Sequence, residues 1–219
     1  MKILHVSCSP RGSLSESSKL SRKIVDLLMR RDPAAVVLER PIGDVPVPHI
    51  DALYAGAQHA VVDETSEGGS MSCSDTLIHE LESADTVVIG TPMHNLMVPS
   101  TLKAWIDHVV RARRTFGMTA GGKAGFLRDR PVFVAIASGG VFSGEDARQP
   151  DLLTPYLKLV LGGIGLKEIH FFSIQGTAFG AERVAGARAE TDARLRDWFE
   201  NSRSAADCMG APSGGSAGR

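Results

Sequence analysis

Five short apolar, β-branched runs recur along the chain, at residues 2–6, 35–38, 86–89, 131–137 and 168–174. Between them lie stretches with helical spacing near residues 19–30, 71–83, 101–111, 152–161 and 182–202. Runs that are apolar at nearly every position read as strands covered on both faces, unlike the alternating strands of a half-solvated sheet. Strands interleaved with helices predict an α/β fold, a doubly wound five-stranded parallel sheet with helices on both faces, because right-handed crossovers distribute them that way. In such sheets ligands collect beyond the carboxyl ends of the strands, so the loops that follow the strands are the places to look for chemistry.

The loop after the first strand reads Ser7-Cys8-Ser9-Pro10-Arg11-Gly12-Ser13-Leu14-Ser15-Glu16-Ser17-Ser18 and leads into a helix expected to begin near Lys19. Hydroxyls and unpaired N–H groups at a helix N-terminus form an anion site, since the free donors and the helix dipole both favour negative charge. With six serines and no Gly-x-Gly-x-x-Gly, the loop suits a phosphomonoester held by hydroxyls better than a dinucleotide. A serine-rich N-cap and turn accounts for the same residues without a ligand. The loop after the third strand, Gly90-Thr91-Pro92-Met93-His94-Asn95, breaks a buried run in the same way and favours the anion site.

Other candidate motifs carry less. Gly117-Met118-Thr119-Ala120-Gly121-Gly122-Lys123-Ala124 spells Gly-x4-Gly-Lys, but it lacks the Ser/Thr that would ligate Mg²⁺ and joins no strand to a helix. A phosphatase loop built on Cys8 would need an Arg six positions on, where Leu14 stands. The histidines lack His-x-x-x-His spacing, and Cys8, Cys73 and Cys208 form no Cys-x-x-Cys, so no metal is expected. The cluster Arg111-Ala112-Arg113-Arg114 closes a predicted helix and is expected to be a solvated helix end.

Taken in order, these loops resemble the FMN-dependent NADH azoreductases and related NAD(P)H:quinone reductases. The matching residues are Ser9 and Ser15-Glu16-Ser17, then Pro92-Met93-His94-Asn95-Leu96, then Ser138-Gly139-Gly140. Further matches are Ser100-Thr101-Leu102-Lys103-Ala104-Trp105-Ile106-Asp107, Thr154-Pro155-Tyr156-Leu157, Gly162-Gly163-Ile164-Gly165 and Gly176-Thr177-Ala178-Phe179-Gly180. The resemblance implies a flavodoxin-like fold with strand order 2-1-3-4-5 and bound FMN. It also implies NADH or NADPH as electron donor, a quinone, azo or similar small-molecule acceptor, and a homodimer. Ser9, Ser15, Glu16 and Ser17 would meet the phosphate, while Pro92, Met93, His94, Asn95, Leu96, Ser138, Gly139 and Gly140 would cradle the flavin. Phe116 would line the substrate pocket in a segment that closes over the ring.

Departures from that pattern fall inside the site. Azoreductases usually carry Gln at position 16, Tyr at 94, Phe at 96 and often Arg at 138, where this chain has Glu16, His94, Leu96 and Ser138. Glu16 is expected to turn to solvent or pair with a cation such as Arg11. His94 is a side chain that shapes the pocket or, since imidazole titrates near neutrality, a candidate proton donor to the reduced acceptor. Two other classes remain open: a dedicated biosynthetic flavoenzyme acting on one metabolite, and a non-catalytic electron carrier. Carriers of this fold are usually shorter and strongly acidic, unlike this chain.

With 43% hydrophobic and 22% charged residues, 219 residues can bury one substantial core, so one domain over 1–203 is expected. A net charge of −1 gives no reason to expect nucleic acid or a membrane surface as partner. No run approaches membrane-spanning length, no signal peptide is evident, and a reducing cytoplasm is the expected setting. Residues 41–69 form an insertion with a short helix expected at 51–60, and the resemblance places it at the dimer contact. Residues 115–129 are glycine-rich and suggest a hairpin or lid over the flavin. Trp105 falls on an amphipathic helix and is expected in the core. The Gly/Ser/Ala-rich tail, 204–219, is expected to be disordered.

Overall fold

The structure, a computed structural model, describes residues 1–59 and 69–209. In chain order its elements are β1 (Lys2–Ser7), α1 (Glu16–Arg31), β2 (Val36–Arg40), α2 (Ala52–His59), α3 (Gly69–Ser83), β3 (Thr86–Pro92), α4 (Ser100–Val109), β4 (Phe116–Thr119), β5 (Gly122–Gly125), β6 (Val132–Ala137), α5 (Leu153–Gly163), β7 (Ile169–Ile174) and α6 (Ala181–Met209). β4 and β5 form a separate antiparallel hairpin. The other five strands make a parallel sheet in the order β2-β1-β3-β6-β7. Leaving out the hairpin, this is the order 2-1-3-4-5 that the resemblance implies.

The strands are apolar throughout because successive side chains feed two cores. Leu4, Val6, Val87, Ile89, Val134 and Ile136 pack with α3, α4 and α5, and Trp105 is fully buried among them. Ile3, Val88, Phe133, Ala135 and Phe172 pack with α1 and α6. In α1, Leu20, Ile24 and Leu28 recur every fourth residue on the buried face. Burying each such side chain contributes about 1.5–3 kcal/mol, more than helix propensity supplies, so this stripe is what holds α1 on the sheet.

Several boundaries differ from the sequence reading. α1 begins at Glu16 rather than near Lys19, because Ser15 caps it by accepting the Ser18 N–H at 3.1 Å. The insertion does contain a helix, α2, though residues 60–68 lie outside the described residues. α6 continues to Met209, past the boundary drawn at 203, and 210–219 lie outside the described residues.

The arginine cluster is not a solvated helix end. Arg111 is buried and bonds Ser74 at 3.3 Å and Asp75 at 2.8 Å on α3, while Arg114 pairs with Glu82. α4 ends at Val109, which turns these side chains back onto α3 instead of outward.

Gly90, the fifth residue of β3, is where α1 comes closest to the sheet. A Cβ there would lie 2.4 Å from Ser21 Oγ and 3.1 Å from the Ser17 carbonyl oxygen. Gly90→Ala is therefore expected to lower stability by about 1–3 kcal/mol, as overpacking does. Urea unfolding checks this, and an unchanged midpoint would mean that α1 lifts away at no cost.

Candidate functional site

Backbone hydrogen bonds carry the sheet's register past the ends of its strands. Cys8 N–H donates to Gly90 O at 2.8 Å, Met93 N–H to Ala137 O at 2.8 Å, and Ser138 N–H to Ile174 O at 3.0 Å. The loops that follow β1, β3, β6 and β7 thus leave the sheet side by side at one edge. Thr101 at the start of α4 ties them further, its hydroxyl donating to Cys8 O at 3.1 Å.

The loop after β1 is held tightly. Gly12 N–H donates to Ser9 O at 3.1 Å, and Ser15 N–H to Gly12 O at 3.2 Å. Ser9, Ser15 and Ser17 are all buried. Ser9 Oγ accepts the Arg11 N–H at 3.3 Å, and the Ser15 and Ser17 hydroxyls lie 3.2 Å apart. The first intrahelical bond is Lys19 N–H to Ser15 O, so the Glu16 and Ser17 amides precede the helical ladder. Gly43, which the sequence reading passed over, packs directly beneath, since a Cβ there would lie 2.2 Å from Ser9 O. Only structure could show this, because the contact joins turns that follow different strands.

Glu16 pairs with cations, as expected, but these are Arg188 and Lys19 rather than Arg11. Its carboxylate receives two hydrogen bonds from Arg188 on α6, each 2.6 Å, and one from Lys19 at 2.9 Å. The Arg188 bonds, with Lys19 adding to them, hold its pKa down to about 2. The Arg188 partner is invisible to local pattern, because 172 positions separate it from Glu16. Below the loop, His5 is buried on β1, with Nδ1 2.8 Å from Glu39 and Nε2 2.9 Å from Ser21 Oγ. Burial pushes its pKa below the usual histidine value against the pull of Glu39. Burial likewise pushes the Cys8 thiol well above its ordinary value, which keeps it neutral and unreactive.

After β3, His94 and Met97 exchange both backbone hydrogen bonds at 2.9 Å around Asn95 and Leu96, whose φ angles are 49° and 70°. Two consecutive positive φ values make a type I′ turn, and a leucine held there is strained by about 1–3 kcal/mol. The strain fixes the direction in which the backbone amides of the turn point. His94 itself is exposed.

Ser138-Gly139-Gly140 meets this turn through Gln149, a residue the sequence reading did not single out. Gln149 Nε2 lies 3.2 Å from both Met93 Sδ and Ser138 Oγ. Ala178 N–H donates to Gly139 O at 3.2 Å, and Gly176 N–H to Gly140 O at 3.1 Å, so the loop after β7 zips onto the same corner. A Cβ on Gly140 would strike Gln149, whereas one on Gly139 would meet only Ala178 Cβ, at 3.6 Å. The space in front of Gly139 is open.

Phe116 does not join these residues. It opens the hairpin, whose base is bonded at the edge where the strands begin: Phe126 N–H donates to Thr115 O at 2.9 Å, and Leu127 N–H to Ile164 O at 3.0 Å. Arg130, just before β6, donates to Leu81 O at 2.7 Å and Glu82 O at 3.0 Å ahead of β3. The ring packs on the core with Lys123 Nζ 4.2 Å from its centroid. The hairpin was expected correctly, but its base stands at the opposite end of the sheet because α4 carries the chain there from the loop after β3.

Two larger cavities flank the site. One, of about 1100 Å³, runs along the outer side of α1 past Gly12, Ser13, Ser18, Arg22 and Glu39. The other, of about 920 Å³, borders Val141, Gln175, Phe179 and Arg183. Neither is lined by the 92–96 turn or by Ser138–Gly140. The buried loop hydroxyls and the exposed Gly139 corner stand at the same edge of the sheet, an arrangement suited to a molecule with a phosphate at one end and a planar ring at the other.

The sequence matches the family described as Flavodoxin-like fold over residues 1–199. It is 43% identical over 186 residues to "FMN-dependent NADH:quinone oxidoreductase 2" of Cupriavidus pinatubonensis, covering 84% of this chain and 90% of that one. The chain belongs to this flavodoxin-like family of oxidoreductases. Another member, "FMN-dependent NADH:quinone oxidoreductase 4" of Pseudomonas fluorescens, is 42% identical over 88% of this chain and 93% of its own. Among solved structures, an FMN-dependent NADH-azoreductase from Bacillus anthracis in complex with FMN superposes with a TM-score of 0.75 at 25% identity, over 90% of this chain and 99% of that one. Among the described residues, no helix is long and apolar enough to cross a membrane and no cluster is suited to a metal ion.

Glu16 gives a direct check on the phosphate loop. A carboxyl with a lowered folded-state pKa adds stability that is present above its unfolded value and is lost as pH falls through the folded one. The Glu16 contribution should therefore fade between about pH 4.5, its ordinary value, and about pH 2. Glu16→Gln is expected to flatten that part of the stability-against-pH curve followed by thermal unfolding. An acid limb identical in both proteins would mean that the ion pair does not form.

Proposed function

We propose that this chain is an FMN-dependent oxidoreductase that moves hydride from NADH to a quinone, azo or similar electron-poor aromatic acceptor. The observation that carries the reading is the convergence of a buried serine loop at a helix N-terminus with an open-fronted Gly139 corner on one sheet edge. The activities for which the relatives are named support it, as does their match over most of both chains.

The residues present fit FMN. Ser9 and Ser17, with the Glu16 and Ser17 amides, supply donors for a phosphate, and Ser15 serves first as the helix cap. In the Pro92, Met93, His94, Asn95 and Leu96 segment, where the Met93 and His94 amides bond Ala137 O and Met97 O, the Asn95 and Leu96 amides would orient the ring, and Ser138, Gly139 and Gly140 would lie along it. Gly139 has no side chain to keep the ring away. When bound, FMN supplies the two-electron chemistry that accepts hydride from NADH and returns it to the acceptor. Gln149 braces the turn against Ser138 and so keeps both halves of the cradle in register. His94, which is exposed in this turn, would be the group to hand a proton to the reduced acceptor.

The family resemblance supports a homodimer, and the scattered cysteines without Cys-x-x-Cys spacing support a reducing, cytoplasmic setting. Exposed Met118 and Phe126 on the hairpin and Leu159 on the neighbouring α5 support a second copy as the partner that covers them.

Reconstitution with FMN followed by anaerobic NADH is expected to give a bound-flavin spectrum that bleaches. Bound flavin that stays oxidised would favour a carrier or a dedicated enzyme, and no bound flavin would overturn the assignment. Gly139→Val should weaken FMN retention by about tenfold or more, since a branched side chain would fill the ring's position, while circular dichroism stays unchanged. For His94→Phe, turnover is expected to fall and its dependence on neutral pH to flatten. An undiminished profile would exclude proton donation by His94.

A further inference from the structure

Glu16 sits at the first helical position of α1, between the two buried serines of the phosphate loop. An acidic side chain there is favoured by the helix dipole, yet it competes with a bound anion for the same amides and repels it. The structure resolves this conflict from another element. Arg188 on α6 grips the carboxylate through Nε and Nη2, both at 2.6 Å, and Lys19 closes the other side at 2.9 Å. The Glu16 side chain keeps 15% of its exposure, whereas Arg188 keeps 46% and Lys19 49%. One turn along, Lys23 and Asp192 repeat the link between α1 and α6 with the signs reversed, at 2.6 Å.

We propose that Arg188 is a positioning residue for the phosphate end of the cofactor: it draws the Glu16 carboxylate towards α6 and offsets its charge, leaving the Glu16 and Ser17 amides free for the anion. The inference rests on the placement of the phosphate at Ser9, Ser15 and Ser17. Because both cations are about half exposed, solvent screening reduces what the pair adds to fold stability without removing it, and its effect on the bound anion is read from binding. Lys19 alone cannot replace Arg188, since a single ammonium lacks the two-pronged geometry that fixes a carboxylate's direction.

The test measures FMN and riboflavin affinity by quenching of flavin fluorescence, using the full chain in wild-type, Arg188→Ala, Glu16→Gln and doubly substituted forms. Arg188→Ala is expected to weaken FMN about tenfold through the uncompensated carboxylate and to leave riboflavin, which lacks the phosphate, unchanged. In the Glu16→Gln background the same substitution should change FMN affinity by less than about twofold, because the charge it offsets is gone. Equal weakening of FMN and riboflavin would show that Arg188 only docks α6, and a loss that persists without Glu16 would show that it contacts the phosphate itself. Either result overturns the proposal. Ser17→Ala separates this from the underlying placement. If Ser17→Ala weakens FMN but not riboflavin while Arg188→Ala does nothing, only the Arg188 role fails. If Ser17→Ala leaves FMN untouched, the phosphate placement fails first.

Discussion

The continuation of the parallel hydrogen-bond register beyond the strand ends is the constraint on which the rest of the molecule depends. Cys8 to Gly90, Met93 to Ala137 and Ser138 to Ile174 are ordinary backbone bonds of 2.8–3.0 Å, yet they fix where four loops begin. A parallel sheet buried on both faces leaves its backbone little freedom to slip, because a shift of one residue would exchange the two cores. The loops inherit that rigidity. A site assembled from them needs only local turns to aim its donors, and those turns are present: the Ser15 cap, the strained Asn95–Leu96 pair and the Gly139 corner.

Close packing between elements adjusts this edge. Gly43 supports Ser9 from below, and Gly90 lets α1 approach β3. Gln149 links the turn after β3 to the corner after β6. The ion pair from Glu16 to Arg188 adds an electrostatic element to the same edge. Each is a contact between residues distant in sequence, and each bears on residues that would touch the phosphate or the ring. A protein that binds a charged, flat cofactor must keep both ends of the cradle at a fixed separation, and packing of this kind does so.

Much of this was legible in advance. The five buried runs and their helices followed from periodicity, because strands covered on both faces must be apolar at nearly every position. The loops at Ser9–Ser17, Pro92–Leu96 and Ser138–Gly140 stood out because serine, proline, asparagine and glycine interrupt those runs where a parallel sheet opens. The hairpin at β4 and β5 was signalled by its glycines. Less visible were the start of α1, which the capping geometry of Ser15 sets, and the fate of the arginines after α4, which depends on acidic partners on α3. Phe116 was assigned by resemblance, and its place within this chain depends on where α4 ends.

The sequence by itself determined the class of fold, the order of elements and the loops that hold the candidate chemistry, because those depend on local hydrophobic period and turn composition. Only the tertiary structure decided which side chains meet. Glu16 with Arg188, Gly43 with Ser9, Gln149 with Ser138, and the removal of Phe116 to the far edge of the sheet all turn on how helices and turns pack across long separations. No local pattern encodes those separations, since the energy of each contact exists only once both elements are in place.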